Sequence, residues 1–201
     1  MNPLLKVLVA QLARPHGVLA RVIAPLLDRS NHAINLHTLA ALDLQPGERV
    51  LEVGFGGGVG LALALAHEPA VVLHGIDFSA EMVERCQKRF RDQAQLSLSS
   101  VESIAAEHAS FDKIFGVNVV YFWPDLPKAL HELQRVLAPG GLLVLGVRPK
   151  QVLQRLDFGA AGHRLWDPAQ YADALRDAGF RAIGARRVPD PGGAWIVSAR
   201  R

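Results

Sequence analysis

Residues 50 to 60 constrain this chain more than any other stretch, because an apolar strand there ends in an acid and breaks into glycines. The run reads Val-Leu-Glu-Val-Gly-Phe-Gly-Gly-Gly-Val-Gly, and a second apolar strand ends at Asp77. Glycine lets main-chain N–H groups approach a ligand closely where a parallel strand turns into a helix. Carboxylates at two neighbouring strand ends, Glu52 and Asp77, need partners such as ribose hydroxyls or backbone amides. The pattern therefore predicts a nucleoside site.

The spacing of the glycines separates two classes of cofactor. A dinucleotide fingerprint has the form G-x-G-x-x-G. Counting from Gly54 puts Val59 at the position of the third glycine, and counting from Gly56 puts Leu61 there. The pattern actually present is acid-x-Gly-x-Gly-x-Gly, which ends at Gly58. A nicotinamide dinucleotide is therefore the second choice of cofactor.

The acid-x-Gly-x-Gly-x-Gly loop resembles motif I of the class I S-adenosylmethionine-dependent methyltransferases, and the resemblance covers residues 45 to 201. It implies that S-adenosylmethionine is the cofactor. In this family the acid that ends the second strand, here Asp77, holds the ribose hydroxyls, and the next residue, Phe78, packs on adenine. The resemblance further implies that cofactor binding involves the loop residues Glu52, Gly54, Phe55, Gly56 and Gly58.

The resemblance also implies an adenine contact after the third strand. The family has an aspartate there, whereas this chain aligns Ser100, followed by Val101 and Glu102. Ser100 would be a shorter acceptor, and the Val101 amide would be a donor. Glu102 is either an adenine contact or a solvated helix start. Asn118, at the end of the fourth strand, completes the expected cofactor-binding set.

The segment after the fourth strand is expected to face the reacting methyl group, because ligands bind beyond the carboxyl ends of open parallel sheets. Tyr121, Phe122 and Trp123 lie there and could contact the substrate or the sulfonium. Core packing of Phe122 and Trp123 is an equally good interpretation. Arg148, just after the fifth strand, could bind an anionic substrate group.

Methyl transfer from a sulfonium is an in-line displacement, in which much of the catalysis can come from positioning. A base is required only if the nucleophile arrives protonated. The candidate bases are Tyr121, His16 and His37, with His32 and the more remote His163 as further candidates. The spacing of histidines, cysteine and acids shows no metal-ligand pattern, so no metal is predicted.

Strands alternate with helices from residue 49 onward, which predicts an α/β doubly wound, Rossmann-like sheet of seven strands. Strands 180–188 and 194–200 flank a Pro-Asp-Pro-Gly-Gly turn, and they must pair antiparallel because a parallel pair needs a crossover. An antiparallel last strand also fits the methyltransferase resemblance. The other predicted strands are 49–53, 71–76, 96–99, 113–117 and 142–147, and the predicted helices are 58–67, 80–91, 125–137 and 168–178.

The 201 residues, half of them hydrophobic, are expected to form one structural domain. Residues 1–48 predict an N-terminal helical cap or lid, with helices at 4–13, 18–28 and 32–42, over a cofactor-binding domain at 49–201. The first helix could instead pack on a partner subunit or lie on a bilayer surface. Polar residues interrupt it, which excludes a membrane span of about 20 apolar residues.

The formal net charge of +3 comes from scattered basic residues, which gives little support to a nucleic-acid partner. The single cysteine, Cys86, excludes an internal disulfide and favours a reducing, cytoplasmic location. We expect methyl transfer to a small-molecule substrate by a monomer or homodimer. The alternatives are a non-catalytic scaffold that binds S-adenosylhomocysteine and a peripheral phospholipid methyltransferase.

Overall fold

The computed structural model describes residues 31–155, 158–159, 163–189 and 192–201. Within them lies one seven-stranded sheet in the order β3-β2-β1-β4-β5-β7-β6. Neighbours from β3 to β5 run parallel, while β7 runs antiparallel to both β5 and β6. This confirms the predicted doubly wound sheet with an antiparallel last strand. The strands are β1 (Arg49–Val53), β2 (Val72–Asp77), β3 (Gln95–Leu98), β4 (Phe111–Val117), β5 (Leu137–Val147), β6 (Arg181–Arg187) and β7 (Trp195–Arg200).

Three helices begin where Ser79, Asp125 or Asp167 supplies a side chain for the free N–H groups of the first turn. Ser79 accepts the N–H of Met82 at 3.4 Å, and Asp167 forms a capping box with Gln170. Among the described residues, no helix is long and apolar enough to cross a bilayer. The helices are α1 (residues 31–42), α2 (Val59–His67), α3 (Ala80–Phe90), α4 (Leu126–Val136), α5 (Lys150–Arg155) and α6 (Pro168–Asp177).

The sheet has a hydrophobic core on each face, because successive side chains of a strand point to opposite sides. Leu51 and Val53 of β1 join the core that α4 and α6 cover. Val50 joins the core that α1, α2 and α3 cover. In the strand order, β1 and β4 are neighbours at the middle of the sheet. The helices that follow them cover opposite faces. A ligand site is expected at the carboxyl ends of two such strands.

Helix α1 covers the whole of the predicted helix 32–42, and it packs on the sheet. Ile34 and Leu39 are buried in the same core as Val144 of β5. A Cβ atom at Gly146 of β5 would lie 3.0 Å from Cγ1 of Ile34. The described part of the predicted cap therefore packs in the same core as the sheet. The predicted helices 4–13 and 18–28 lie outside the described residues.

Two local predictions differ from the structure. Strand β5 begins at Leu137, five residues before the predicted start, because Leu137 pairs with Phe111 before the β4–β5 register shifts. Pro139, Gly140 and Gly141 therefore lie within β5. Helix α5, after β5, was not predicted from the sequence.

Candidate active site

The glycine loop after β1 touches the segment after β4 on one side and borders open space on another. Gly54 has φ +70°, and a Cβ atom there would lie 2.5 Å from Cγ1 of Val119. Gly56 has φ +50°, and nothing lies within 4 Å of the position that its Cβ would take. The first glycine therefore allows close packing on the β4 segment, while the second leaves room at the loop surface for a ligand.

Asp77 connects the glycine loop to the end of β2. Its Oδ2 accepts the N–H of Gly56 at 2.8 Å, and its Oδ1 accepts the N–H of Ser79 at 2.8 Å. Burial raises the pKa of Asp77, and these backbone hydrogen bonds oppose the rise. An ionised carboxylate has about four acceptor positions, so Asp77 can accept from hydroxyls as well.

Glu52 lies beneath the start of α2. Burial raises the pKa of Glu52 well above its usual value, the charge of Asp77 adds to the rise, and a hydrogen bond from the Leu61 backbone opposes it. A Cβ atom at Gly60 would collide with Oε1 of Glu52. Oε2 is buried and has no hydrogen-bond partner among the described residues. Glu52 thus supports the loop from below and retains one unsatisfied polar atom.

Two exposed apolar side chains border Asp77. Phe78 is 41% exposed and Leu98 is 59% exposed. Leu98 pairs with Asp77 in the parallel β2–β3 register. Leu98 was missed in the sequence analysis, although an apolar residue that ends the strand next to the second acid was an available signal. Phe78 and Leu98 together offer an apolar surface beside the Asp77 carboxylate.

The structure gives the residues after β3 mainly structural contacts. The Oγ of Ser100 accepts the N–H of Glu102 at 3.2 Å, and Val101 is buried. Oε1 of Glu102 accepts the N–H of Asp125 at 2.9 Å, and its Oε2 lies 3.7 Å from Nζ of Lys128. Glu102 thus stabilises the start of α4, which favours a structural role over contact with adenine.

Asn118 and Tyr121 lie in a hydrogen-bonded chain at the end of β4. Asn118 has φ +55°, and its Nδ2 donates to Oδ1 of Asn31 at 2.8 Å. The Tyr121 hydroxyl donates to Oδ1 of Asn118 at 3.1 Å and accepts the backbone N–H of Arg148. Tyr121 is buried, and burial raises its pKa. This placement argues against Tyr121 as a general base. The sequence analysis did not identify Asn31.

The neighbouring aromatic residues pack against the core, in agreement with the second interpretation of Phe122 and Trp123. The Phe122 ring centroid lies 5.0 Å from that of His163 and 5.9 Å from that of Phe158. Burial lowers the pKa of His163, and a hydrogen bond with the Tyr121 backbone opposes this. His163 therefore lies closer to Tyr121 than its distance in the sequence suggested.

Two of the other candidate bases, His32 and His37, lie on α1. Nε2 of His37 lies 3.4 Å from the carbonyl oxygen of Pro189, which follows β6. His32 is exposed at the start of α1. His16 lies outside the described residues. Among the described residues, no group of three or more histidines, cysteines and acids could hold a metal ion.

Comparisons with known proteins agree with this geometry. A family described as a methyltransferase domain matches residues 51–145. An uncharacterised methyltransferase of Bacillus subtilis is 32% identical over 60% of this chain and 67% of its own length. A trans-aconitate 2-methyltransferase of Azoarcus is 32% identical over 78% of this chain. The chain spans only 57% of that second relative.

Solved structures share the fold at low sequence identity. A chain from the complex of the Haloferax volcanii Trm112 methyltransferase activator with a methyltransferase has a TM-score of 0.81 at 19% identity, covering 98% of this chain and 96% of its own. An S-adenosylmethionine-dependent methyltransferase from Aquifex aeolicus has a TM-score of 0.71 at 20% identity, covering 97% of both chains. These likenesses support the architecture.

Fold, loop and relatives together define an enzyme that acts on a sulfonium nucleoside. The chain belongs to the class I S-adenosylmethionine-dependent methyltransferases, with S-adenosylmethionine as its cofactor. The described residues fit this molecule: Gly56 borders open space, Phe78 is exposed, and the Asp77 carboxylate lies beside both.

Proposed function

We propose that this protein transfers the methyl group of S-adenosylmethionine to a small-molecule acceptor by in-line displacement. The contact between Gly54 and Val119 carries the proposal. It brings the cofactor loop against the residue that follows Asn118, at the end of β4. A cofactor held by the loop would therefore have the β4 segment beside it. Alignment of nucleophile and methyl group can supply a large part of the rate enhancement.

The cofactor would be held at the carboxyl ends of β1, β2 and β3. Asp77 would accept from the ribose hydroxyls, since its backbone bonds from Gly56, Phe78 and Ser79 are fewer than the about four acceptor positions of a carboxylate. Phe78 and Leu98 would contact adenine through their exposed surfaces. Gly56 leaves space for the main chain to approach the ligand. When bound, the cofactor supplies an electrophilic methyl group on a positively charged sulfur.

The described residues of the β4 edge favour positioning over proton removal. The Tyr121 hydroxyl is buried and already bonded on both sides, and His37 faces Pro189. The acceptor is therefore expected to arrive with a free lone pair or to lose its proton to water. The relatives agree with a small-molecule acceptor, since one is a trans-aconitate 2-methyltransferase. The single, buried Cys86 is compatible with the reducing conditions of the cytoplasm.

Calorimetric titration tests the cofactor part of the proposal. The protein is titrated with S-adenosylhomocysteine, with NADH and with buffer alone. We expect saturable binding of S-adenosylhomocysteine only. Tight binding of NADH would contradict the proposal.

A labelled-methyl assay tests the reaction. The protein is incubated with methyl-labelled S-adenosylmethionine and fractionated metabolite extract, and the small-molecule fraction is counted. We expect label in a product that forms with wild-type protein and is strongly reduced with Asp77→Ala. Cofactor binding without any labelled product would favour the non-catalytic scaffold.

A further inference from the structure

The hydrogen-bonded chain at the end of β4 has a fixed direction. It starts at the backbone N–H of Arg148, which can only donate, so the Tyr121 oxygen accepts there. The Tyr121 hydrogen is therefore directed to Oδ1 of Asn118, and Nδ2 of Asn118 donates to Oδ1 of Asn31. We call these three side chains, Tyr121, Asn118 and Asn31, the amide chain.

This direction determines what the two asparagines can offer a ligand. Each side-chain oxygen already accepts one hydrogen bond within the amide chain. Within the amide chain, Nδ2 of Asn118 uses one of its two hydrogens and Nδ2 of Asn31 uses neither. Asn31 and Asn118 therefore present N–H donors in preference to acceptors.

The same edge carries positive charge and a small cleft. A cleft of about 110 Å³ follows β5, and its lining includes Arg148, Lys150, Trp166 and Trp195. Asp167 also lines the cleft, but its Oδ1 accepts the N–H of Gln170 at the start of α6. A cleft of this size takes a group somewhat smaller than a benzene ring. The asparagines do not line this cleft, but Arg148 links it to the amide chain, because its backbone N–H donates to Tyr121. Amide donors next to a cleft with two cations and aromatic walls suit a compact anion with an apolar body.

We propose that Asn31 and Asn118 bind the methyl acceptor, that Tyr121 is their positioning residue, and that the acceptor is a compact oxyanion such as a carboxylate. This rests on the proposed function and deepens it. The acceptor oxygen forms the new bond to the methyl carbon, the electrons of the broken C–S bond remain on sulfur, and no proton has to be removed. An oxyanion acceptor thus agrees with a Tyr121 hydroxyl that is bonded on both sides and is not placed to remove a proton.

Asparagine side-chain NMR tests the proposal directly. The chain has four asparagines, Asn2, Asn31, Asn35 and Asn118, so selective labelling of asparagine gives four NH₂ signals that substitution can assign. The protein, saturated with S-adenosylhomocysteine, is titrated with isobutyrate, isobutyramide and isobutylammonium at constant ionic strength. We expect isobutyrate alone to shift the Asn31 and Asn118 signals. Equal shifts with the neutral or cationic probe would overturn the oxyanion assignment.

Asn31→Asp separates recognition from folding. The new carboxylate keeps an oxygen that can accept from Asn118, but it removes the donor and adds a negative charge. We expect isobutyrate affinity to fall about tenfold or more, with S-adenosylhomocysteine affinity unchanged. Ala40→Asp, exposed near the other end of α1, is the control for added charge and should keep isobutyrate binding. Equal losses in both variants would overturn a direct role for Asn31.

Tyr121→Phe tests the positioning role. We expect the Asn118 NH₂ signal to move and the preference for isobutyrate over isobutyramide to fall. The control is Tyr171→Phe, which removes a buried hydroxyl without a hydrogen-bond partner among the described residues and should leave the Asn118 signal in place. An unmoved Asn118 signal in Tyr121→Phe would overturn the amide chain.

The same samples distinguish the two proposals. Failure of wild-type protein to bind S-adenosylhomocysteine would contradict the proposed function itself. Normal binding of S-adenosylhomocysteine together with no preference for isobutyrate would contradict only the oxyanion inference.

Discussion

Asp77 accepts the main-chain N–H of Gly56 at 2.8 Å, so the acid that ends β2 is bonded directly to the glycine loop that follows β1. These residues are 21 positions apart, and the parallel pairing of β1 with β2 brings them together. A cofactor at this edge would meet a carboxylate that already orders the loop. Loop geometry and ribose binding are therefore expected to depend on the same side chain.

Asp77→Ala should weaken S-adenosylhomocysteine binding by about 1–3 kcal/mol, because it removes charge-assisted hydrogen bonds to the ligand and to Gly56. Calorimetry measures the affinity. Asp112→Ala is the control. Asp112 lies at the amino-terminal end of β4, in an ion pair with Arg49 at the start of β1. An unchanged affinity in folded Asp77→Ala protein would count against the ribose role.

Gly56→Ala should lose cofactor affinity while costing only about 1–2 kcal/mol of stability. A Cβ atom there is strained by the positive φ but enters open space that the ligand would need. Gly140→Ala is a matched control, because Gly140 has φ +75° and also has nothing within 4 Å. Both variants are compared by denaturant unfolding and by titration with S-adenosylhomocysteine. Similar affinities in the two variants would contradict the placement of the cofactor at Gly56.

Phe78→Ala should weaken S-adenosylhomocysteine binding by about 1–3 kcal/mol, the usual value of a base stacked on an aromatic ring, with little change in stability. Its side chain is 41% exposed, so the fold has less packing to lose than at a buried phenylalanine. Leu36→Ala is the control, because Leu36 is 47% exposed on α1. A loss of affinity common to both variants would indicate a non-specific effect.

Glu102→Ala should lower the free energy of unfolding by about 1 kcal/mol, because Glu102 accepts the N–H of Asp125 at the start of α4. Its effect on cofactor affinity should be small. Denaturant unfolding and calorimetry on the same preparation measure both quantities. A large loss of affinity with unchanged stability would restore Glu102 as an adenine contact.

Glu52→Gln should raise stability at neutral pH by about 1–3 kcal/mol, since it removes the cost of burying the carboxylate or of protonating it on folding. The pKa of Glu52 is raised on folding, so the folded protein binds this proton more tightly than the unfolded chain does. Stability from this group is complete below about pH 4.5 and falls as the pH rises toward the folded-state pKa. Glu52→Gln should therefore flatten the decline of unfolding free energy above that pH.

Glu132→Gln serves as the comparison, because folding lowers the pKa of Glu132 whereas it raises the pKa of Glu52. Arg135 lowers the pKa of Glu132, so its contribution is present above the usual pKa and is lost as the pH falls. Unfolding free energies measured across a pH series should show the two substitutions acting on different pH ranges. If both substitutions changed the unfolding free energy by the same amount at every pH, the raised pKa of Glu52 would be refuted.

Much of the fold and of the cofactor site could be predicted because the signals are local. The apolar run of β1, the glycines after it and the acid that ends β2 are each written in a short stretch of sequence. The starts of α3 and α6 follow in the same way from Ser79 and Asp167. Such signals depend on backbone conformation and on which face of an element is apolar.

The roles of Glu102, Tyr121 and Asn31 required the tertiary structure. Glu102 is bonded to Asp125, and Tyr121 to the backbone of Arg148, across 23 and 27 positions of sequence respectively. Asn31 reaches Asn118 across 87 positions. No local pattern reports which polar group will be the partner of another after folding. Burial and pairing, which decide whether a hydroxyl can act as a base, belong to the assembled sheet.

The sequence by itself determined the class of sheet, the glycine loop and the acid beside it, because strand periodicity and glycine backbone freedom act over a few residues. The tertiary structure alone decided that α1 packs on the sheet and that Tyr121 is a buried hydrogen-bonded residue. The physical reason is that desolvation and hydrogen-bond partners depend on neighbours that only the folded chain brings together.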